Sequence, residues 1–204
     1  MRAPVKLFLA SSNPGKLKEY RALADAAPPH VPIELELLPN FASSSAFEEN
    51  APTFAENAAG KALHYSRFQG ELVFADDSGL VVPALGEEPG VHSARYAGVD
   101  APNEKRIEKL LHEMRGLREE ERAAHFVCAI ALARKGRALA IMTDRVDGFI
   151  LEAPRGTQGF GYDPVFQFPP LQKTFAELTA EEKNQHSHRG KAFRKMLAAL
   201  SSML

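Results

Sequence analysis

Two adjacent carboxylates, Asp76 and Asp77, occur in the stretch FADDSGL, between an apolar run and a Ser-Gly pair. Acids at the end of a strand often form turns in solvent, and we predict a strand over residues 71–76 followed by a turn at Ser78-Gly79. In a metal or phosphate site, at least one of the two carboxylates would instead point inward. Other residues must decide between these interpretations.

Further carboxylates precede a predicted helix in FEENAPTFAENA, which contains Glu48, Glu49 and Glu56. The helix dipole favours acids at a helix N-terminus and by itself explains one or two of them. Mg2+ prefers oxygen ligands and usually takes one or two protein carboxylates together with water and substrate phosphates. Glu49 and Asp77 would supply that number, but their spacing along the chain does not show that they meet.

The segment SSNPGK, residues 11–16, lies between a predicted strand and a predicted helix. Backbone N–H groups and the helix dipole attract anions at such a position, and Lys16 would add a positive charge. The two serines and the asparagine offer hydrogen bonds to phosphate oxygens. The P-loop spacing is absent, however, and an ordinary helix N-terminus with Pro14 in its first turn explains the segment better when it is taken alone.

The glycine-rich segment GTQGFGYDP, residues 156–164, places three glycines around Phe160, Tyr162 and Asp163. Glycine lets a backbone approach a ligand closely, and an aromatic ring offers a stacking face for a base. A glycine-rich turn with buried aromatic side chains accounts for the same pattern equally well.

Basic residues concentrate in EEKNQHSHRGKAFRK, residues 181–195. A solvated helix face explains Lys191, Arg194 and Lys195. His188 and Arg189 precede a glycine, which would let both side chains turn towards one ligand.

The composition limits the classes of function. The chain has 204 residues, of which 45% are hydrophobic, and this predicts one folded unit with a substantial core. Lys and Arg total 25 against 26 for Asp and Glu, so no overall field would hold a nucleic-acid polymer. The single cysteine, Cys128, lies in an apolar run and is predicted to be a buried structural thiol. No apolar run approaches membrane-spanning length, and we expect a cytoplasmic protein.

Alternating patterns predict the elements that would position these residues. The first half reads as strands at 5–10 and 33–38 alternating with helices that begin near Asn13 and at Thr53, the latter with Glu56 as its capping-box partner. The second half reads as a helix over 103–116, a hairpin around 134–137, and two helices over 179–186 and 190–203. Together they predict an α/β fold with a mixed sheet.

In this order, the segments resemble the inosine triphosphate pyrophosphatase family, the house-cleaning enzymes that act on non-standard purine nucleoside triphosphates. The segments are SSNPGK, TFAENA, ADDSGL, PGVHSARYAG, GFGYDP and EEKNQHSHRG, which together span residues 11–190. The combination of ADDSGL, GFGYDP and SHRG is highly specific. The resemblance implies an elongated mixed β-sheet flanked by helices in two lobes with the active-site cleft between them. It also implies a single nucleoside triphosphate pyrophosphatase domain over residues 1–204.

The resemblance assigns roles to individual residues. Glu49 and Asp77 would bind the metal, Asp77 would also be the catalytic proton acceptor, and Lys16 would assist catalysis. The departure from the family is Pro52, which would let Glu48 replace Glu49 if the loop is reshaped. The residues implied to bind the triphosphate or the nucleoside are Ser11, Ser12, Asn13, Pro14, Gly15, Lys16, Ser78, Phe160, Gly161, Tyr162, Asp163, Lys183, His188 and Arg189.

The implied reaction is Mg2+-dependent hydrolysis of ITP, dITP and XTP to the nucleoside monophosphate and pyrophosphate. His188 and Arg189 would recognise the 6-keto oxygen of the base, so we expect Arg189→Ala to weaken the use of ITP far more than it changes thermal stability. The family forms homodimers, and we expect neither a membrane nor a nucleic-acid polymer as a partner. A non-catalytic nucleotide sensor, a Maf-like pyrophosphatase for modified pyrimidines and a scaffold protein are the alternatives, the last being the weakest.

Overall fold

The computed structural model describes residues 3–28, 32–39, 41, 46–67 and 69–203. Within these residues the chain forms seven strands and five α-helices, together with short 3-10 segments. In chain order they are β1 (Val5–Leu9), α1 (Pro14–Asp25), β2 (Ile33–Leu37), α2 (Phe54–Ser66), β3 (Leu72–Val81), α3 (Asn103–Glu113), β4 (Ala123–Arg134), β5 (Arg137–Ile150), β6 (Phe166–Phe168), β7 (Lys173–Thr174), α4 (Ala180–His186) and α5 (His188–Met203).

The strands form one mixed sheet in the order β2-β1-β3-β4-β5-β6-β7. The first strand, β1, pairs in parallel with β2 and β3, whereas β6 pairs antiparallel with β5 and β7. Parallel neighbours are reached through the helical crossovers α1 and α2, as expected for alternating strands and helices. The predicted α/β fold with a mixed sheet is confirmed.

Packing divides the chain into two compact units. Unit 1 comprises Met1–Asp77, Cys128–Asp144 and Arg189–Leu204, and unit 2 comprises Ser78–Val127 and Arg145–His188. The single domain over residues 1–204 and the cleft between lobes stay predictions.

The core of unit 1 has two layers, one on each face of its strands. Leu7 and Leu9 of β1 pack in one layer with residues of α1 and α5, whereas Phe8 and Ala10 pack in the other layer with residues of α2. The alternation follows from the period of two along a strand, and burial on both faces explains why β1 and β4 are almost continuously apolar.

The core of unit 2 is rich in aromatic side chains. Phe126 and Phe166 pack with their ring centroids 4.5 Å apart, and Phe175 lies 5.0 Å from Phe166. The apolar face of α3 contributes Ile107 and Leu110 to the same cluster. Tyr162 of the glycine-rich segment belongs to the same core.

The turn predicted at Ser78-Gly79 is wrong, because β3 continues through both residues to Val81. Ser and Gly resemble a turn locally, but Leu80 and Val82 enter the core of unit 2 and their burial keeps the backbone extended. The short strands β6 and β7 were not predicted, since three and two residues give no readable alternation. The other predicted strands and helices are present, with ends shifted by a few residues.

Among the described residues, no helix has the length and apolar character needed to cross a bilayer.

Candidate active site

The segment from Ser11 to Lys16 forms the loop after β1 and the first turn of α1. Asn13 is the N-cap residue, and its side-chain oxygen accepts a hydrogen bond from the backbone N–H of Lys16 at 3.1 Å. The hydroxyl oxygen of Ser11 accepts one from the backbone N–H of Asn13 at 3.2 Å. Pro14 occupies the first turn, as predicted. These side chains fix the shape of the loop, and phosphate binding by the segment stays a prediction.

Asp76 is fully buried in β3 and lies between two cations. Its Oδ2 is 3.0 Å from Nζ of Lys16 and 3.7 Å from Nε of Arg189, and Arg189 also pairs with Glu19 of α1. Burial opposes the charged form of Asp76, but Lys16 and then Arg189 hold the pKa of its carboxyl below its usual value. Asp76 is therefore a fixed anion that orients Lys16.

Asp77 has the opposite electrostatic character, although it is the next residue. Its Oδ2 accepts a hydrogen bond from Nδ2 of Asn57 at 3.0 Å, and only 6% of the residue is exposed. Burial is the main cause that raises the pKa of its carboxyl to about 6; Lys16 opposes this increase and the charge of Glu49 adds to it. A carboxyl with this pKa can exchange a proton near neutral pH, as a general base must.

Glu49 lies before α2, and its Oε1 is 2.5 Å from Nζ of Lys61. Glu49 is close enough to Asp77 for its charge to affect the pKa of that carboxyl. In the described part of the chain, no group of three or more His, Cys, Asp or Glu side chains could hold a metal ion. Mg2+ needs no such group, because one or two carboxylates are enough when water and phosphates complete its coordination shell. Glu49 and Asp77 fit this ion.

Cys128 lies in the core of unit 1, as predicted. Its Sγ is 3.8 Å from the hydroxyl oxygen of Tyr20, and burial raises the pKa of the thiol to about 12. The thiol is therefore neutral at physiological pH and serves as part of the core.

Asp163 organises the glycine-rich segment of unit 2. Its Oδ2 accepts hydrogen bonds from the backbone N–H of Phe160 at 2.7 Å and from Nζ of Lys183 at 2.5 Å. Nζ of Lys183 also lies 5.0 Å from the centroid of the Phe160 ring. Gly159 has φ +74°, and a Cβ at this position would collide with the Asp163 carboxylate. The glycine is thus required by the compact turn that Asp163 closes.

Two other predicted binding residues are built into the core of unit 2. The hydroxyl of Tyr162 donates a hydrogen bond to the backbone oxygen of Ser93 at 2.9 Å. The ring of His188 stacks on Phe126 with their centroids 4.7 Å apart. For residues 156–164, the interpretation as a glycine-rich turn with buried aromatic side chains therefore describes Tyr162. Phe160 in the same segment is only partly buried.

The segment PGVHSARYAG is held in place by hydrogen bonds and packing contacts within unit 2. The hydroxyl of Ser93 donates to the backbone oxygen of Gly90 at 2.6 Å and accepts from the backbone N–H of Leu80 at 2.9 Å. Tyr96 donates a hydrogen bond to Glu113 of α3, and Nζ of Lys109 lies 4.0 Å from the centroid of its ring. These contacts give Ser93 and Tyr96 a structural role in packing.

A model of the Ham1 family matches residues 7–199, which is nearly the whole chain. The chain belongs to the Ham1 family.

Relatives of this Ham1-family chain agree with the assignment. It is 49% identical over 191 residues to the dITP/XTP pyrophosphatase of Geobacillus kaustophilus, covering 94% of this chain and 92% of that protein. It is 48% identical over 202 residues to the dITP/XTP pyrophosphatase of Gloeobacter violaceus, covering 96% and 94%. The solved structure of a Ham1 protein from Coxiella burnetii has a TM-score of 0.84 and 39% identity, covering 97% of this chain and 99% of that chain. The family resemblance inferred from the motifs is confirmed.

In this Ham1-family protein the predicted residues gather in two groups. One belongs to unit 1 and the other to unit 2, and two of the four points at which the chain passes between the units fall within predicted motifs, at Asp77-Ser78 and at His188-Arg189. The first group contains Lys16, Glu49, Asp77 and Arg189, and the second contains Phe160, Tyr162, Asp163 and Lys183. The roles of all these residues stay predictions.

Four polar residues of unit 1 contact the predicted site residues but were not predicted to take part: Glu19, Asn57, Lys61 and Asp76. Asn57 and Lys61 are four residues apart on α2, and that spacing would have placed them on one helix face. Glu19 had no local signal, because its partner Arg189 lies 170 residues away along the chain.

Proposed function

We propose that this protein hydrolyses the non-standard purine nucleoside triphosphates ITP, dITP and XTP to the nucleoside monophosphate and pyrophosphate. The observation that carries the proposal is the buried carboxyl of Asp77, which Asn57 holds at 3.0 Å and which follows Asp76, the partner of Lys16 at 3.0 Å. The proposal is supported by the membership of the chain in the Ham1 family and by its similarity to the two dITP/XTP pyrophosphatases described above. Such an enzyme would remove these nucleotides from the nucleotide pool.

The site residues of unit 1 suit chemistry on a triphosphate. Asp77 would accept a proton from water as the water oxygen bonds to the α-phosphorus and the bond from this phosphorus to the bridging oxygen breaks. Lys16, held by Asp76 at 3.0 Å, would stabilise negative charge that develops on the phosphate oxygens. Mg2+ held by Glu49 and Asp77 would neutralise phosphate oxygens and bring the water close to its target. Pyrophosphate is the leaving group.

The site residues of unit 2 suit recognition of the nucleoside. Phe160 is partly exposed and offers a ring on which a purine could stack, while Lys183 and Asp163 hold its loop in place. Hydrogen-bond donors would favour the 6-keto oxygen of hypoxanthine and xanthine over the amino group of adenine, by roughly 1–3 kcal/mol for each lost contact. The resemblance assigns recognition of the keto oxygen to His188 of unit 2 and to Arg189, which belongs to unit 1. Guanine shares the keto group, so its rejection would depend on its 2-amino group.

The resemblance also supports a cytoplasmic homodimer. Sedimentation velocity at micromolar concentration tests the dimer, and fractionation of the cells that produce the protein tests its location. A single sedimenting species with the mass of one chain would contradict the dimer.

A turnover panel with ITP, XTP, dITP, GTP, ATP and a modified pyrimidine triphosphate tests the proposed reaction. We expect Mg2+-dependent release of pyrophosphate mainly from ITP, XTP and dITP, and loss of activity in EDTA that excess Mg2+ restores. Pyrophosphate and orthophosphate are detected separately. Orthophosphate release would mean attack at the γ-phosphorus, and tight ITP binding without turnover would make the protein a sensor. Preference for the pyrimidine would favour the Maf-like alternative.

A further inference from the structure

Asn57 is fully buried near the start of α2, where its side-chain amide bonds to two partners. Its Oδ1 accepts a hydrogen bond from the backbone N–H of Ala51 at 2.9 Å. Its Nδ2 donates to the backbone oxygen of Ala51 at 3.2 Å and to Oδ2 of Asp77 at 3.0 Å. An amide has two N–H donors, and both are used here. Asn57 therefore ties the backbone before α2 to the carboxylate at the middle of β3.

The tied segment carries Glu49, two residues before Ala51. Lys61 follows Asn57 by one helical turn on the same face of α2 and pairs with Glu49 at 2.5 Å. One face of α2 thus holds both carboxylates, Asp77 through Asn57 and Glu49 through Lys61. The negative charge of Glu49 acts on the Asp77 carboxyl, so these contacts restrain two groups that repel each other when both are charged.

We infer that Asn57 is a positioning residue, which keeps Asp77 and the segment bearing Glu49 at the spacing that a divalent cation requires. The inference rests on the proposed function, because it takes these two carboxylates as the metal ligands. Residues that orient metal ligands typically contribute roughly 10- to 100-fold to metal affinity or activity. An orienting residue of this kind acts on the metal before any substrate binds.

The experiment measures binding of Mn2+ alone, by electron paramagnetic resonance of the free ion, to the wild-type protein and to Asn57→Leu. Leucine has nearly the shape of asparagine but forms no hydrogen bond. We expect the Kd for Mn2+ to rise by roughly 10- to 100-fold. The Mg2+ concentration for half-maximal ITP turnover should rise in parallel, whereas KM for ITP at saturating Mg2+ should change much less.

Asn50→Leu is the matched control, because Asn50 belongs to the same segment but is exposed and donates to Oε2 of Glu48 at 2.9 Å. It should bind Mn2+ as the wild type does. Asn57→Ser is a second variant, since a smaller side chain fits the buried space and its hydroxyl cannot reach both partners. We expect a smaller loss of Mn2+ affinity than in Asn57→Leu. Circular dichroism and cooperative urea unfolding establish whether each variant is folded. If Asn57→Leu does not fold, the Mn2+ affinity of Asn57→Ser tests the inference instead.

Wild-type Mn2+ affinity in the folded Asn57 variant would overturn the inference. Equal weakening in Asn50→Leu, or a wild-type protein that binds no Mn2+, would overturn it as well. The readout separates this inference from the proposed function, because it needs no turnover. A wild-type protein that binds Mn2+ but hydrolyses no triphosphate, and that loses the ion in the Asn57 variants, would refute the proposed reaction and support the positioning role.

Discussion

Burial of the Asp77 carboxyl links the stability of the metal-free protein to pH. Its pKa is about 6 in the folded protein against 3.8 for an aspartate in the unfolded chain, so the folded state binds more protons than the unfolded state between these values. The resulting stabilisation is present below pH 3.8 and is lost as the pH rises through about 6. A difference of two pKa units corresponds to roughly 3 kcal/mol of unfolding free energy.

Asp77→Asn should therefore abolish turnover and yet stabilise the metal-free protein at neutral pH, because the variant has no buried charge at this position. We expect its free energy of unfolding at pH 7.5 to exceed that of the wild type by about 1–3 kcal/mol, with the difference shrinking as the pH approaches 4. Urea unfolding of the wild type and of the variant in EDTA measures the two free energies of unfolding at each pH. Asp147→Asn is the control, since that side chain is 69% exposed. Retained turnover in Asp77→Asn, or equal stability at pH 7.5, would contradict the prediction.

The contacts of Arg189 change the expectation for its replacement. The sequence predicted a larger effect on substrate use than on stability, but the side chain is only 2% exposed and lies between Glu19 and Asp76. Arg189→Ala leaves the buried carboxylate of Asp76 and the partly buried carboxylate of Glu19 without this cation, so we expect the free energy of unfolding to fall by about 3–5 kcal/mol. Urea unfolding of this variant and of the exposed Arg115→Ala measures the difference. A selective loss of ITP use at unchanged stability would instead favour recognition of the base.

The glycine-rich segment yields a prediction at the scale of a structural element. Gly159 and Gly161 both have positive φ, but a Cβ at Gly159 would collide with Asp163, whereas nothing lies within 4 Å of one at Gly161. Gly161→Ala should cost only the backbone strain, about 1–2 kcal/mol of unfolding free energy. Gly159→Ala should cost more and should also lower ITP turnover, because it displaces the carboxylate that holds Lys183 and Phe160. The prediction is checked by measuring ITP turnover and urea unfolding of both variants. Equal losses of turnover and of unfolding free energy in the two variants would contradict it.

The charge of the whole molecule yields a prediction about nucleic acids as partners. The formal net charge is −1 at pH 7, and without an overall positive field a nucleic-acid backbone gains little from counterion release. We expect no binding of labelled duplex or single-stranded DNA in fluorescence anisotropy, even at low salt, and no inhibition of ITP turnover by excess DNA. Competition between DNA and ITP would show that a local basic surface outweighs the net charge.

At the scale of elements, much of the fold could be predicted from local patterns. The N-cap at Thr53 and its Glu56 partner are present in α2, and the apolar alternation of β1 is reflected in its two buried faces. The turn after Asp77 was mispredicted, because Ser78 and Gly79 look like a turn until the burial of Leu80 is known. Local chemistry therefore identifies an element, while packing decides how far it extends.

The order of the amino acids by itself determined the family, the α/β class and the motifs that carry the candidate chemistry, because these are properties of residue types and their spacing. Only the tertiary structure decided the different states of Asp76 and Asp77. Asp76 lies between Lys16 and Arg189, which hold the pKa of its carboxyl below the usual value. Burial raises the pKa of the Asp77 carboxyl. A pKa depends on desolvation and on partners brought in from distant parts of the chain, and neither is visible in a local stretch of sequence.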